Sequence, residues 1–235
     1  MKVFVSTALL LVALSNFVFA QQVREQDITY RITIVRGIDL TNSSNQKIFG
    51  KKSLMSRILI DAVQNGKCTV YHPDTLENTL SLEEFNKRRS FPNDSNVLEH
   101  YLPEQLYEVE LMEELIFDKH RSEFRYIPKY ITLFIPVEIN YRAIMEPIAS
   151  WKYEDCLIIF KTDKRAYSDA VGFGKSKINY SESLLLRTYT SQIVKIGSPD
   201  ELYFDQQYAD PLQAFLAQKE EEGKIQEIVY KVFHP

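Results

Sequence analysis

The segment Asp169-Ala170-Val171-Gly172-Phe173-Gly174-Lys175-Ser176 ends as a phosphate-binding loop ends, with Gly-Lys-Ser in place. Such a loop needs glycine where Asp169 stands, because the turn must bring backbone close to phosphate. A carboxylate there repels the same ligand. The loop must also run from a strand straight into a helix, and Ile178-Asn179-Tyr180 reads as a poor helix start, so a surface hairpin is expected. The histidines His72, His100, His120 and His234 form no pair at metal-ligand spacing, and neither cysteine joins them at such spacing. His120, with Asp118 and Glu123 nearby, reads as a solvated charged turn. Cys68 or Cys156 with a distant histidine would make a nucleophile pair, but nothing local supports one. No Gly-x-Ser-x-Gly elbow occurs. Glu108, Glu110, Glu113 and Glu114 could do acid–base work if a pocket gathered two of them; a solvated face is the expected meaning of the run. Asn42, Asn93 and Asn179 head glycan-acceptor patterns that matter only in a eukaryotic source. The residues therefore assemble no catalytic set and call for no cofactor and no metal.

The elements that hold these side chains read as follows. Ile28 to Leu40 alternates apolar and polar residues, which predicts a strand with one buried face. Ser53 to Asn65 predicts a helix stopped by Gly66, with Leu54, Met55, Ile58, Leu59, Ala62 and Val63 as its stripe. A short strand is expected at Cys68–Tyr71, a capping box at Ser81–Glu84, and a loop over Arg88–Asn96. Tyr130–Tyr141 predicts a second long strand, placed at an edge or bulged because Pro136 lacks a donor. Leu157–Phe160 is expected as a strand and Ser183–Ile196 as a helix. Asp210-Pro211 opens a last helix, with Glu220/Lys224 and Glu227/Lys231 paired one turn apart. These elements predict an α+β fold, with antiparallel or mixed sheets, packed helices and a C-terminal helix. A weak internal duplication would divide residues 28–100 from 105–235.

The start of the chain sets the compartment. Lys2 precedes a short apolar core, and Val18 and Ala20 supply the small residues that a signal peptidase needs. Residues 1–20 are thus expected to be a signal peptide, cut between Ala20 and Gln21. Gln21, not cysteine, follows the cut, so no lipid-accepting residue is expected. Later stretches fall short of the roughly 20 apolar residues of a membrane span. The net charge of −4, with no basic stripe, argues against nucleic acid. In an oxidising compartment Cys68 and Cys156 are as readily a disulfide as two separate thiols.

Several segments resemble the GldN/PorN family of the Bacteroidota, a component of gliding motility and type IX secretion. They are Arg36-Gly37-Ile38-Asp39-Leu40, the helix end Asp61–Lys67 with Thr69-Val70-Tyr71 and Pro73 beyond it, and Ile116-Phe117-Asp118-Lys119-His120-Arg121-Ser122. Ile135-Pro136-Val137, the Trp151/Tyr153 aromatic segment, the stretch Leu184 to Lys195 and the final helix around Lys224-Ile225 follow in the family's order. Leu115 departs from the pattern, standing where the family usually has another aromatic residue.

The resemblance implies a non-enzymatic periplasmic structural subunit at the inner face of the outer membrane. It would form an oligomeric ring with a GldK/PorK-like lipoprotein, in contact with GldL/GldM-like motor components. Phe117 is then expected to anchor in the core, with Asp118 and Arg121 paired locally or across a partner interface. The alternative is an exported periplasmic hydrolase or binding protein whose site is not recognisable in the sequence.

Overall fold

A computed structural model describes residues 23–233 apart from 53, 93–97, 172–176 and 198–200. The expected signal peptide and its Ala20/Gln21 cut, the Ser53 cap, the Asn93 acceptor pattern, the Gly172–Ser176 loop and His234 lie outside the described residues.

After a 3₁₀ turn at Glu25–Asp27 come β1 (Ile28–Asp39), α1 (Ser43–Phe49), α2 (Leu54–Gln64), β2 (Val70–Tyr71) and β3 (Thr79–Leu80). Then follow α3 (Leu82–Arg88), β4 (Ser90–Pro92), β5 (Leu98–His100), β6 (Glu108–Asp118), β7 (Glu123–Ile135) and β8 (Glu146–Lys152). The chain ends with α4 (Tyr153–Thr162), β9 (Tyr167–Val171), β10 (Lys177–Asn179), α5 (Tyr180–Leu186), β11 (Gln192–Ile196), α6 (Phe204–Gln207) and α7 (Pro211–Phe233). The fold is α+β. Its seven-stranded sheet has the order β11-β1-β6-β7-β8-β2-β3, and its neighbours run antiparallel.

Residues directly opposite one another in such a sheet share a face. Ile38, Val109 and Leu133 form one cross-strand row, and Arg36, Leu111, Ile131 and Trp151 the next. Helices α1, α2, α4 and α5 bury this face at one end, placing Phe49, Met55, Leu59, Phe160 and Tyr180 against it. At the other end α6 and α7 cover Ile34, Leu115 and Ile193 with Phe204 and Ile225. One face of the sheet thus carries two apolar clusters. Two buried amides near the first are bonded: Asn45 bonds the backbone of Asp39 and Thr190, and Asn179 donates to the Phe160 carbonyl at 2.8 Å.

Several expectations need correction. The acidic run is no solvated face; it lies in β6, a central strand, with Glu110 and Glu113 buried. Apolar Val109, Leu111, Leu115 and Ile116 draw the strand inward, and its carboxylates go with it. The long strand predicted over Tyr130–Tyr141 begins at Glu123 and ends at Ile135, so Pro136 opens a turn and makes no edge. The strand is irregular at two places: against β6 the register skips Lys129, beside Pro128, which has no N–H, and against β8 it shifts between Leu133 and Phe134. Leu157–Phe160 is helical, because Tyr153, Cys156, Ile159 and Phe160 recur at three to four residues and face the core, while Ile158 points out. The helix expected over Ser183–Ile196 stops at Leu186. Arg187 takes a left-handed conformation, and Gln192–Ile196 pairs with β1. Arg88–Asn96 contains β4, paired with β5. Ile178-Asn179-Tyr180 does start a helix, since Asn179 caps α5 by accepting from the Ser181 amide.

The capping box at Ser81–Glu84 forms, and Gly66 follows α2 at φ 62°. In α7 the Asp210 carboxylate accepts from the Leu212 amide, and both expected ion pairs close. The sheet takes strands from both halves of the suggested duplication, with β1 between β11 and β6.

Candidate functional site

The segment Phe117–Ser122 is the hairpin turn between β6 and β7. Asp118 ends one strand and pairs in register with Glu123 on the other. Its buried Oδ1 accepts from the amides of His120 at 3.0 Å and Arg121 at 3.2 Å. Ser122 closes the turn at φ 54°, in the left-handed region. Arg121 Nε lies 4.0 Å from Asp118 Oδ2, a pairing within the turn. Phe117 is half-buried, with its ring 5.0 Å from that of Phe124. It packs at the margin of the smaller apolar cluster and does not enter the interior. Asp118 is thus the turn's organiser: its carboxylate substitutes for the acceptors that a tight turn denies its own amides.

A buried charge seam separates the two apolar clusters. Glu113 is 0% exposed, and its Oε1 accepts from Arg36 Nε at 2.7 Å and from Arg187 Nη1. Arg36 also reaches Glu222 of α7 at 3.5 Å, and the Arg187 guanidinium lies 3.7 Å over the Tyr126 ring. The seam therefore ties β1, β6 and the residue after α5 to the C-terminal helix. Sequence reasoning missed it, although one signal was present: Arg36 occupies the apolar phase of β1, between Ile34 and Ile38.

The two thiols are free. Cys156 is fully buried, and Cys68 packs against the same apolar cluster near Trp151. Burial pushes the Cys68 thiol up to about 11 and raises Cys156 as well, so both stay protonated at neutral pH. A thiol held in that state is a poor nucleophile. The strands flanking the Gly-Lys-Ser segment pair as an antiparallel hairpin, and a phosphate loop would lead directly into a helix.

The inner side of α7 is committed to the fold, and its N-terminal part exposes leucines on the outer side. Ala214, Ala217, Ile225 and Val229 face the sheet, while Leu212 is 62% exposed and Leu216 56%. Among the described residues no helix is long and apolar enough to cross a membrane.

The model of the family described as gliding motility associated protein GldN matches residues 23–233. The chain belongs to the GldN family. No curated protein matches it. As a GldN-family member it is a component of the gliding motility and type IX secretion machinery, and the family is a structural one with no known enzymatic activity. The match runs from the turn before β1 to the end of α7, so the part shared with the family includes both apolar clusters and the charge seam between them.

Proposed function

We propose that this chain is a non-enzymatic periplasmic subunit that assembles with an outer-membrane lipoprotein of the GldK/PorK kind into an oligomeric ring. That ring would contact GldL/GldM-like motor components from the inner face of the outer membrane. The observation that carries the reading is the extent of the family match: it covers the whole described fold, from residue 23 to residue 233. Export by the N-terminal signal, cut after Ala20, delivers the chain to that compartment. The Phe117–Arg121 turn and the outer face of α7 are the surfaces offered to partners. The turn is braced by Asp118 and holds Arg121 near the surface; α7 presents leucines that the described residues leave more than half exposed.

Affinity capture of the tagged chain from envelope extract tests the assembly. The expected result is a mature chain beginning at Gln21, co-purifying with the lipoprotein. Arg121→Glu should reduce that capture at least about fivefold, since truncating or reversing a central charged contact costs upward of about 1 kcal/mol. Normal recovery of the lipoprotein with Arg121→Glu, at wild-type protein levels, removes the turn from the interface. Capture of the chain without any envelope partner removes the ring reading.

A further inference from the structure

On the sheet face away from the helices, a cavity of about 320 Å³ opens between the Pro73–Leu76 loop and Tyr203, the residue before α6. Part of its wall is apolar, formed by Val35, Leu76, Met112, Phe134 and Pro147, and part is polar. The register explains the grouping, because Val35 pairs with Met112 on one side and Lys195 on the other, and Glu110 pairs with Thr132. Neighbours Tyr203 and Phe204 straddle the edge strand β11. Phe204 enters the smaller apolar cluster, while Tyr203 reaches the opposite face.

Two charged side chains are buried in this cavity, Glu110 at 6% exposure and Lys195 at 7%. Tyr203 donates to Glu110 Oε2 at 3.0 Å, and the Lys195 ammonium lies 5.0 Å from the Tyr203 ring centre. Among the described residues Glu110 Oε1 has no hydrogen-bond partner. An orphaned carboxylate oxygen at this depth is costly and points to a missing donor. Burial outweighs the help from Tyr203 and Lys195 and pushes the Glu110 carboxyl up to about 7.

The chemistry of the lining selects the ligand. A carboxylate ligand would meet Lys195 but be repelled by Glu110 and by Asp74 at the mouth. An ammonium would satisfy Glu110 but be repelled by Lys195. An apolar ligand would leave Oε1 orphaned. A carboxamide presents a donor and an acceptor side by side with no net charge.

We propose that this cavity binds a carboxamide on an apolar stem, with Glu110 Oε1 accepting its N–H and the Lys195 ammonium donating to its carbonyl. The stem lies along Val35, Met112 and Phe134. The source of the group is either a glutamine or asparagine side chain of a partner or a free primary amide. The proposal does not depend on ring assembly, and either can fail alone.

The test is an NMR titration of the full exported chain, following the methyl signals of Met112 and Val35. Four probes are compared: hexanamide, hexanoate, hexylammonium and N-acetylglutamine methylamide. Hexanamide should shift those methyls with a Kd on the order of 1 mM, as a small ligand of this size allows. Hexanoate and hexylammonium should bind at least about tenfold more weakly. Binding of hexanamide alone supports a free amide as the natural ligand, and binding of both amides supports a side chain. Lys195→Met and Glu110→Leu, each with a native-like spectrum, should weaken hexanamide at least about fivefold. Equal binding of hexylammonium and hexanamide overturns the proposal. So does wild-type hexanamide affinity in a folded Lys195→Met chain, or no shift at 20-fold above the expected Kd, about 20 mM.

Discussion

At the scale of single residues, the carboxylates of β6 divide by what surrounds them. Glu113 is fully buried but held by two guanidinium groups, from Arg36 and Arg187. Taking one partner away strands a charge in the interior. Glu113→Ala or Arg36→Ala should therefore lower unfolding free energy by about 3–5 kcal/mol, read by urea denaturation. The joint replacement Arg36→Met with Glu113→Leu should cost less than Glu113→Ala alone, because it removes both charges at once and leaves less of the seam unpaired. A single-substitution loss below about 1 kcal/mol would show that water enters the seam.

Glu110 behaves in the opposite way. Its carboxyl is pushed up to about 7, by burial first, with Tyr203 and Lys195 lowering it and Asp205 and Glu108 raising it. Glu108 reaches about 7 too, by burial and then by the charges of Asp39 and Glu138. An acid whose folded pKa lies above its unfolded value holds a proton in the fold that the unfolded chain releases. Its stabilisation is complete below about pH 4.5 and is lost as pH rises to about 7. The folded chain should thus be more stable at pH 5 than at pH 8, and Glu110→Gln should flatten that slope by an amount on the order of 3 kcal/mol. Denaturation midpoints measured at several pH values check the sign. Unchanged pH dependence in Glu110→Gln would locate the effect elsewhere.

At the scale of elements, α7 has two faces with different obligations. Ile225 is 3% exposed and seals the smaller apolar cluster, whereas Leu216 touches solvent. Ile225→Ala should cost about 2–4 kcal/mol, the range for truncating a large buried aliphatic side chain. Leu216→Glu should leave stability within about 0.5 kcal/mol and yet reduce partner capture if the outer face is a contact. Thermal melts and envelope pull-downs on the two variants separate a folding role from a binding role. The β6–β7 hairpin is the other element with a legible task. Its Phe-Asp-Lys-His-Arg-Ser motif builds a tight turn: Asp118 caps two amides and Ser122 takes the left-handed conformation.

At the scale of the whole molecule, one sheet is buried by helices on one face, with a charge seam dividing the interior beneath them. The seam anchors the C-terminal helix to the central strands through Glu222. The opposite face stays largely free for the cavity around Glu110.

The sequence by itself determined the strand β1, the helices α2, α3 and α7, the capping box of α3, the α+β class and the family. Each rests on a local signal: period-two alternation, a 3.6-residue stripe, a capping box or an ordered set of short motifs. Only the tertiary structure decided that the acidic run is a central strand and that Leu157–Phe160 is helical. The same is true of Gln192–Ile196, which forms an edge strand beside β1. In these segments the local pattern is ambiguous, and pairing with residues distant in the chain settles it. The charge seam and the cavity had no sequence signature beyond the lone Arg36, because Glu113, Arg187 and Glu222 meet Arg36 only when three separate elements pack. A carboxylate written in a run of carboxylates looks solvated until the strand that carries it is paired along both edges, between β1 and β7.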